Sequence, residues 1–253
     1  MMNSSKPVKT TKRSFEIICA LQELNGARIS ELTTYLDIPK STIHRHLQTL
    51  EDLKLVVRDH GQYHVGLAFA ALGRHARERK EFYQLAEPLV RDLAEDTGER
   101  VQLLVEEHGE LVYVHRDVGQ RAVSADSCVG KRMEIHTAAC GKAILAEYPP
   151  KRAREFVRNH DFVEVTSNTV TNKELFIEML EDVRERGYAF NREESIEGLN
   201  SVAVAVTHPT GQPLGALCVT GPSHRLKGKL FEEDLPDKLL GAANELELNI
   251  KYS

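Results

Sequence analysis

Apolar residues recur at helical spacing through the first third of the chain and switch to runs and alternations after about residue 100. "SFEIICALQELNG" places Phe15, Ile18, Leu21 and Leu24 on one helical stripe, which Asn25-Gly26 stops. Ser30 offers an N-cap to "ELTTYL", where Leu32, Tyr35 and Leu36 keep the same spacing. Asp37-Ile38-Pro39 interrupts the pattern, and a third helix is expected from about Lys40 to Leu53. "VVRDHGQYHV" then reads as two short strands around a turn at His60-Gly61. Three helices and a hairpin therefore fill the chain up to Gly66.

Residues 67–81, "LAFAALGRHARERKE", read as a helix with an apolar start and a charged end. Such a helix suits a connector between domains, and its apolar start can pair with the same helix of a second chain. A further helix from about Tyr83 to Thr97 aligns Leu85, Leu89 and Leu93, with Pro88 near its first turn, where proline is tolerated. Strands follow. "RVQLLVEEHGELVYVHRDV" is a hairpin about "EHGE", and a third strand is expected near 121–127. The second half of "GKRMEIHTAACGKAILAEY" is a small-residue helix, and "KRAREFVRN" forms another after Pro149-Pro150. "TNKELFIEMLEDVRERG" is a helix with a Thr171/Glu174 capping box and a terminal Gly187. Strands near 199–207 and 213–220 flank the turn "HPTGQP". Strands in one block, with helices between distant strands, predict an α+β sheet domain.

Composition narrows the class. The chain has 253 residues, room for two domains, and no apolar run long enough to span a bilayer. "MMNSSKPVKTTKR" is basic without an apolar stretch behind it, so it is read as a mobile arm over residues 1–13 and not as a secretory signal. Cys19, Cys128, Cys140 and Cys218 lack metal-ligand spacing and are too few for a disulfide scaffold, which predicts reduced thiols in a cytoplasmic protein. The overall charge of -5 conceals an asymmetry. Residues 1–80 hold 13 Lys/Arg against 8 Asp/Glu, a net of +5, and the rest is net -10. A basic front suits a polyanion.

The third helix gives that charge a shape. Ile43, Leu47 and Leu50 fall within about 60° of one another on an ideal helix, a seam for burial. Ser41, Arg45 and Gln48 lie opposite, with Thr42 and His44 at the edges, and no carboxylate occurs from Lys40 to Leu50. Arginine pairs with guanine, glutamine with adenine, and serine or threonine with either or with phosphate. The short turn to the preceding helix and the hairpin behind make a winged helix-turn-helix. In it, Arg45 reads bases with Ser41, Thr42, His44 and Gln48 assisting. Lys40, Arg58, His60, Gln62 and the arm residues Lys12 and Arg13 lie along the phosphates. One short helix reads few base pairs, so a palindromic operator and a homodimer are expected.

The segments "ISELTTYLDIPKSTIHRHLQTLEDLKLV", "HTAACGKAILA", "RERGYAFNREESIEGLNSVAVAV" and "GALCVTGPSHR" resemble the IclR family of transcriptional regulators, nearly end to end from Ser14. The resemblance implies an N-terminal winged helix at 1–66, a linker helix at 67–81 and a GAF-like effector domain at 82–253. It also implies assembly as a homodimer or dimer of dimers, and a small metabolite that modulates operator binding. By the same resemblance the pocket is walled by Ala139, Cys140, Asn191, Ser201, Cys218 and Thr220; the residues themselves offer Met133 as an apolar wall. Small residues followed by Gly141 at a helix start leave backbone N–H groups and room for an anionic group. Where many relatives carry an acidic residue and a cysteine, this chain has Asn191 and Ser201, which points to an organic acid or sugar-derived acid as effector. An adaptor whose rear domain binds a protein is the alternative, and it predicts a wholly apolar interior. Cys140 and His136 lack the companions of a nucleophilic pair, so no enzyme is expected. No cofactor is expected. His44/His46 and His60/His64 are the only paired histidines, and no metal site is assigned.

Overall fold

A computed structural model describes residues 6–123 and 128–252 and divides them into two compact units, meeting between Ala76 and Arg77. The first unit holds α1 (Lys9–Glu23), α2 (Ile29–Leu36), α3 (Lys40–Asp52), β1 (Val56–Asp59), β2 (Gln62–Val65) and most of α4 (Ala68–Glu78). Ile17, Leu21, Leu32, Ile43 and Leu47, all but inaccessible to solvent, form its core. Asp37 in the left-handed region turns the chain between α2 and α3, and Pro39 opens α3. β1 and β2 pair antiparallel about His60 and Gly61, both at positive φ, the geometry of a two-residue hairpin turn.

Three local readings shift here. α1 starts at Lys9, so Lys12 and Arg13 are helical and not on an arm. They lie 3.6 and 3.9 Å from Glu16, one turn on, which supports the extra turn. Its buried arc is Ile17, Ile18, Ala20 and Leu21, because α1 packs on both α2 and α3. Phe15 and Leu24 face outward. The cap of α2 is Arg28, whose N–H donates to Glu31 at 2.6 Å, and this places Ser30 inside the helix.

The second unit is a six-stranded antiparallel sheet in the order β5-β4-β3-β8-β7-β6. Its strands are β3 (Arg100–Glu107), β4 (Glu110–Val118), β5 (Arg132–Glu134), β6 (Ala189–Arg192), β7 (Leu199–Thr207) and β8 (Pro213–Pro222). Alternation along the strands separates two cores. Val101, Leu103 and Val105 of β3, Val202, Val204 and Val206 of β7, and Leu217 and Val219 of β8 meet α5 (Glu81–Thr97) and α9 (Leu235–Tyr252). On the other face, Leu104, Ala203, Ala216 and Cys218 meet α6 (Ala139–Ala146), α7 (Pro150–Asn159) and α8 (Lys173–Arg186). The fold is α+β: a helical winged unit followed by an antiparallel sheet covered on both faces.

The structure corrects several elements of this unit. α5 begins at Glu81, so Pro88 stands in the helix interior. Phe82, Tyr83, Ala86, Val90 and Ala94 hold that helix on the sheet, with Leu85, Leu89 and Leu93 flanking. Residues 121–123 are not a strand, residues 124–127 of that expectation lie outside the described residues, and the third strand is Arg132–Glu134. The cap of α8 is Asn172, whose side chain accepts from Leu175 N–H at 2.9 Å, displacing Thr171. β6 and α9 carried no sequence expectation.

Candidate functional site

Two places concentrate chemistry, one in each unit. On α3, Lys40, Ser41, His44, Arg45 and Gln48 are exposed, Thr42 is half-buried, and the opposite seam of Ile43, Leu47 and Leu50 is buried. Among the described residues no carboxylate pairs with Arg45. On the hairpin, Arg58 and His60 are exposed and Gln62 half-buried. The Arg58 guanidinium lies 5.7 Å from the centre of the Tyr63 ring, and His60 Nδ1 lies 2.7 Å from Asp59. Ser14 Oγ meets His46 Nδ1 at 2.9 Å, joining α1 to α3; burial and Arg13 lower the His46 pKa. Lys12 lies exposed and Arg13 half-buried on the α1 side of a wide groove of about 1200 Å³ that Thr42, Arg45, Phe15 and Leu72 also line. The structure thus gathers a polar, mostly basic face on α3 and the hairpin.

In the second unit a cavity of about 50 Å³ lies between the sheet and α6. Met133, Ala139, Cys140, Asn191, Ser201, Cys218 and Thr220 all line it. Register explains the convergence: Arg100 pairs with Thr220, Gln102 with Cys218, Ser201 with Thr220 and Asn191 with Ser201, so their side chains share the α6 face. A hydroxyl chain runs across it, with Ser201 Oγ 2.9 Å from Thr220 Oγ1, which donates to Gln102 Oε1 at 3.3 Å. The Asn191 amide donates to the Thr137 carbonyl and to Ser195 Oγ, both at 2.8 Å, and its carbonyl accepts from Glu194 N–H at 2.9 Å. Asn191 therefore fixes the 193–198 loop, whose Ser195 and Ile196 roof the cavity. Below that loop, Lys142 Nζ donates to both oxygens of Glu194 at 2.6 and 2.7 Å, deep in the interior. Burial lowers the Lys142 pKa and the Glu194 carboxylate opposes it.

Sequence reasoning missed Arg100, Gln102, Tyr113 and Ser195. Arg100 is 3 % exposed; one of its Nη groups donates to the Val123 carbonyl, and its Nε has no partner among the described residues. Burial lowers its pKa, with Arg116 adding to the effect. Strand alternation is the signal that could have found it, since Arg100 and Gln102 share parity with Leu104 on β3.

One other expectation changes. Gly141 does not make room for a ligand: a Cβ there would collide with the Ile135 carbonyl oxygen, so glycine lets α6 pack on the turn before it. Cys140 and His136 form no reactive pair. The thiol faces the Ala216 carbonyl at 3.9 Å and burial pushes its pKa up, while His136 Nε2 lies 2.9 Å from the Val163 carbonyl.

Known proteins align with both units. Residues 10–60 match the IclR helix-turn-helix domain, and residues 75–248 match the bacterial transcriptional regulator IclR C-terminal domain. A probable HTH-type transcriptional regulator, ArcR of Halobacterium salinarum, is 31% identical over 98% of this chain and 97% of its own length. The HTH-type transcriptional regulator KdgR of Escherichia coli is 28% identical over 89% of this chain and 87% of its own. In structure, the IclR protein of Thermotoga maritima superposes with a TM-score of 0.83 at 26% identity, covering 96% of this chain and 99% of that one. An IclR homolog from Microbacterium hydrocarbonoxydans, crystallised with 4-hydroxybenzoate, gives 0.72 at 22%, covering 95% and 100%. No helix among the described residues is long and apolar enough to cross a membrane. An exposed polar helix with a wing, an enclosed polar cavity behind α6 and matches over both units lead to one conclusion: this chain is a DNA-binding transcription regulator of the IclR family.

Proposed function

We propose that this regulator reads a palindromic operator as a homodimer or dimer of dimers and that a small organic acid, held in the cavity behind α6, modulates that binding. Arg45 enters the major groove for direct base contact, with Ser41, Thr42, His44 and Gln48 beside it. Lys40, Arg58, His60, Gln62, Lys12 and Arg13 contact the phosphates. The exposed apolar side chains Phe15, Leu53 and Leu72, which line the groove along α1, α3 and the start of α4, supply a surface for pairing. Effector binding shifts the population between two arrangements of the dimer, conveyed through α4, which joins the units.

The observation that carries the effector reading is Arg100. A buried guanidinium that feels a second one, Arg116, with Nε unpartnered and no carboxylate beside it among the described residues, favours an anionic ligand. Ser201, Thr220, Gln102 and Asn191 add donors and acceptors suited to a hydroxylated acid. About 50 Å³ holds no more than a few waters, so the 193–198 loop moves to admit the effector. The 4-hydroxybenzoate carried by one structural neighbour is an anion of this class. The polar lining opposes the adaptor reading, which requires an apolar interior.

The test is operator binding by fluorescence anisotropy, on DNA recovered by sequencing bound fragments, with a panel of sugar acids and aromatic acids. One acid should change operator affinity at least several-fold. Unchanged affinity with every anion, or a response to cations only, removes the proposal.

A further inference from the structure

Beside the cavity wall, but outside its lining, two segments bring three ligand atoms together. Glu134 ends β5, His136 lies in the 3-10 turn leading to α6, and His160 follows the last residue of α7. Glu134 Oε2 is 3.8 Å from His136 Nδ1 and 3.3 Å from His160 Nε2, and all three atoms lie within 4.8 Å of one another. Neither ring nitrogen makes a hydrogen bond among the described residues, although both are shut off from solvent. His136 is wholly buried. A shielded imidazole nitrogen without a partner is costly and needs a reason.

The tautomer supplies one. His136 Nε2 lies 2.9 Å from the Val163 carbonyl, which can only accept, so Nε2 carries the proton and Nδ1 presents a lone pair. An imidazole whose second nitrogen donates to a backbone carbonyl is the usual arrangement of a metal ligand. The rings are also held in place. His136 stacks on Phe162 at 4.4 Å and 20°, and His160 stacks on Phe156 at 5.2 Å and 18°.

We propose that Glu134, His136 and His160 bind a divalent transition metal ion, with Zn²⁺ the best fit. Two imidazoles and one carboxylate suit Zn²⁺ and its neighbours in the transition series better than Mg²⁺ or Ca²⁺, which prefer oxygen. Bonds of about 2.0–2.1 Å to a tetrahedral ion place the ligand atoms roughly 3.4 Å apart, so the observed separations need only small shifts. Glu134 is 38% exposed, which gives the ion a path from solvent and leaves a fourth position for water. The ion ties the segment after α7 to the turn before α6. The next residue after His136, Thr137, takes the Asn191 hydrogen bond at the cavity wall, so occupancy stiffens one side of that cavity.

The test uses the full chain, freed of metal with a chelator and dialysed, then titrated with zinc chloride and, separately, cobalt chloride. The wild type should take up one Zn²⁺ per chain, and Co²⁺ should give a visible ligand-field band. His160→Ala and Glu134→Gln change residues near the surface and should each weaken Zn²⁺ binding by roughly 100-fold or more, since loss of even an outer-shell partner costs about 10- to 100-fold. Circular dichroism confirms that each variant is folded, and either variant alone decides the matter. No uptake by the wild type at micromolar Zn²⁺, or undiminished affinity in a folded variant, overturns the site.

Discussion

The winged unit and the sheet unit carry their chemistry in opposite ways. On α3 the polar side chains point out, few have partners among the described residues, and a buried seam of three apolar residues holds them in place. In the cavity behind α6 they point in and are bonded to one another or to the walls, Ser201 to Thr220 and Asn191 to Thr137 and Ser195, and deeper in the interior Lys142 pairs with Glu194. A surface that meets a hydrated polyanion keeps its donors free at little cost. An interior cannot, because an unpaired buried polar group loses its water without compensation. Among the described residues, Arg100 Nε is the one buried side-chain polar atom of the cavity lining without a partner, and the proposed effector site rests on it.

Substitutions can break this contrast. The largest effect is expected from Lys142→Met, which strands the Glu194 carboxylate in the interior and should cost about 3–5 kcal/mol by urea unfolding. The double variant Lys142→Met with Glu194→Gln should recover most of that loss; if the single variant costs nothing, the pair does not hold the loop. Next comes Arg100→Gln. It should weaken binding of the active acid by roughly 10- to 100-fold in calorimetry, about 1.4–2.8 kcal/mol, while operator affinity without effector stays unchanged. On the outer face, Arg45→Ala should cost about 1–3 kcal/mol and relax selection at one base position, whereas Arg58→Ala should weaken all sequences alike and reduce the salt slope. Equal behaviour of the two arginines in a gel-shift titration would erase the division between reading head and wing.

The smallest effect concerns pH. His115 is buried, with Nε2 2.6 Å from the Tyr83 carbonyl and Nδ1 2.9 Å from Arg77 Nη2; burial, and then Arg77, lower its pKa below the ordinary 6.5. The unfolded chain therefore binds a proton that the folded one refuses. The stability this group contributes is present above pH 6.5 and declines as pH falls below it toward the lowered value. Thermal unfolding across that window should show the decline, and His115→Phe should flatten it.

The two units also differ in how much the sequence discloses. α3 and its wing are local: the i, i+4, i+7 seam, the break at Asp37-Ile38-Pro39 and the His60-Gly61 turn lie within thirty consecutive residues, and all appear as expected. The first turn of α1 escaped because Lys9 to Arg13 carry no apolar periodicity; their support comes from Glu16. The six cavity residues expected from family resemblance, and Met133 beside them, do converge, but no period in the sequence would bring Arg100 beside Thr220. Only the β3–β8 register does that. Gly141 was misread for a related reason, since the atom it must avoid, the Ile135 carbonyl oxygen, belongs to a turn whose path helical spacing does not reveal.

That same pairing sets an order of events during synthesis. Arg100 waits for Thr220, 120 residues later, before the floor of the cavity exists, whereas every strand and helix that displays Arg45 has been synthesised by Val65. A chain interrupted between those points would carry every element of the winged helix-turn-helix and none of the cavity that the β3–β8 pairing closes.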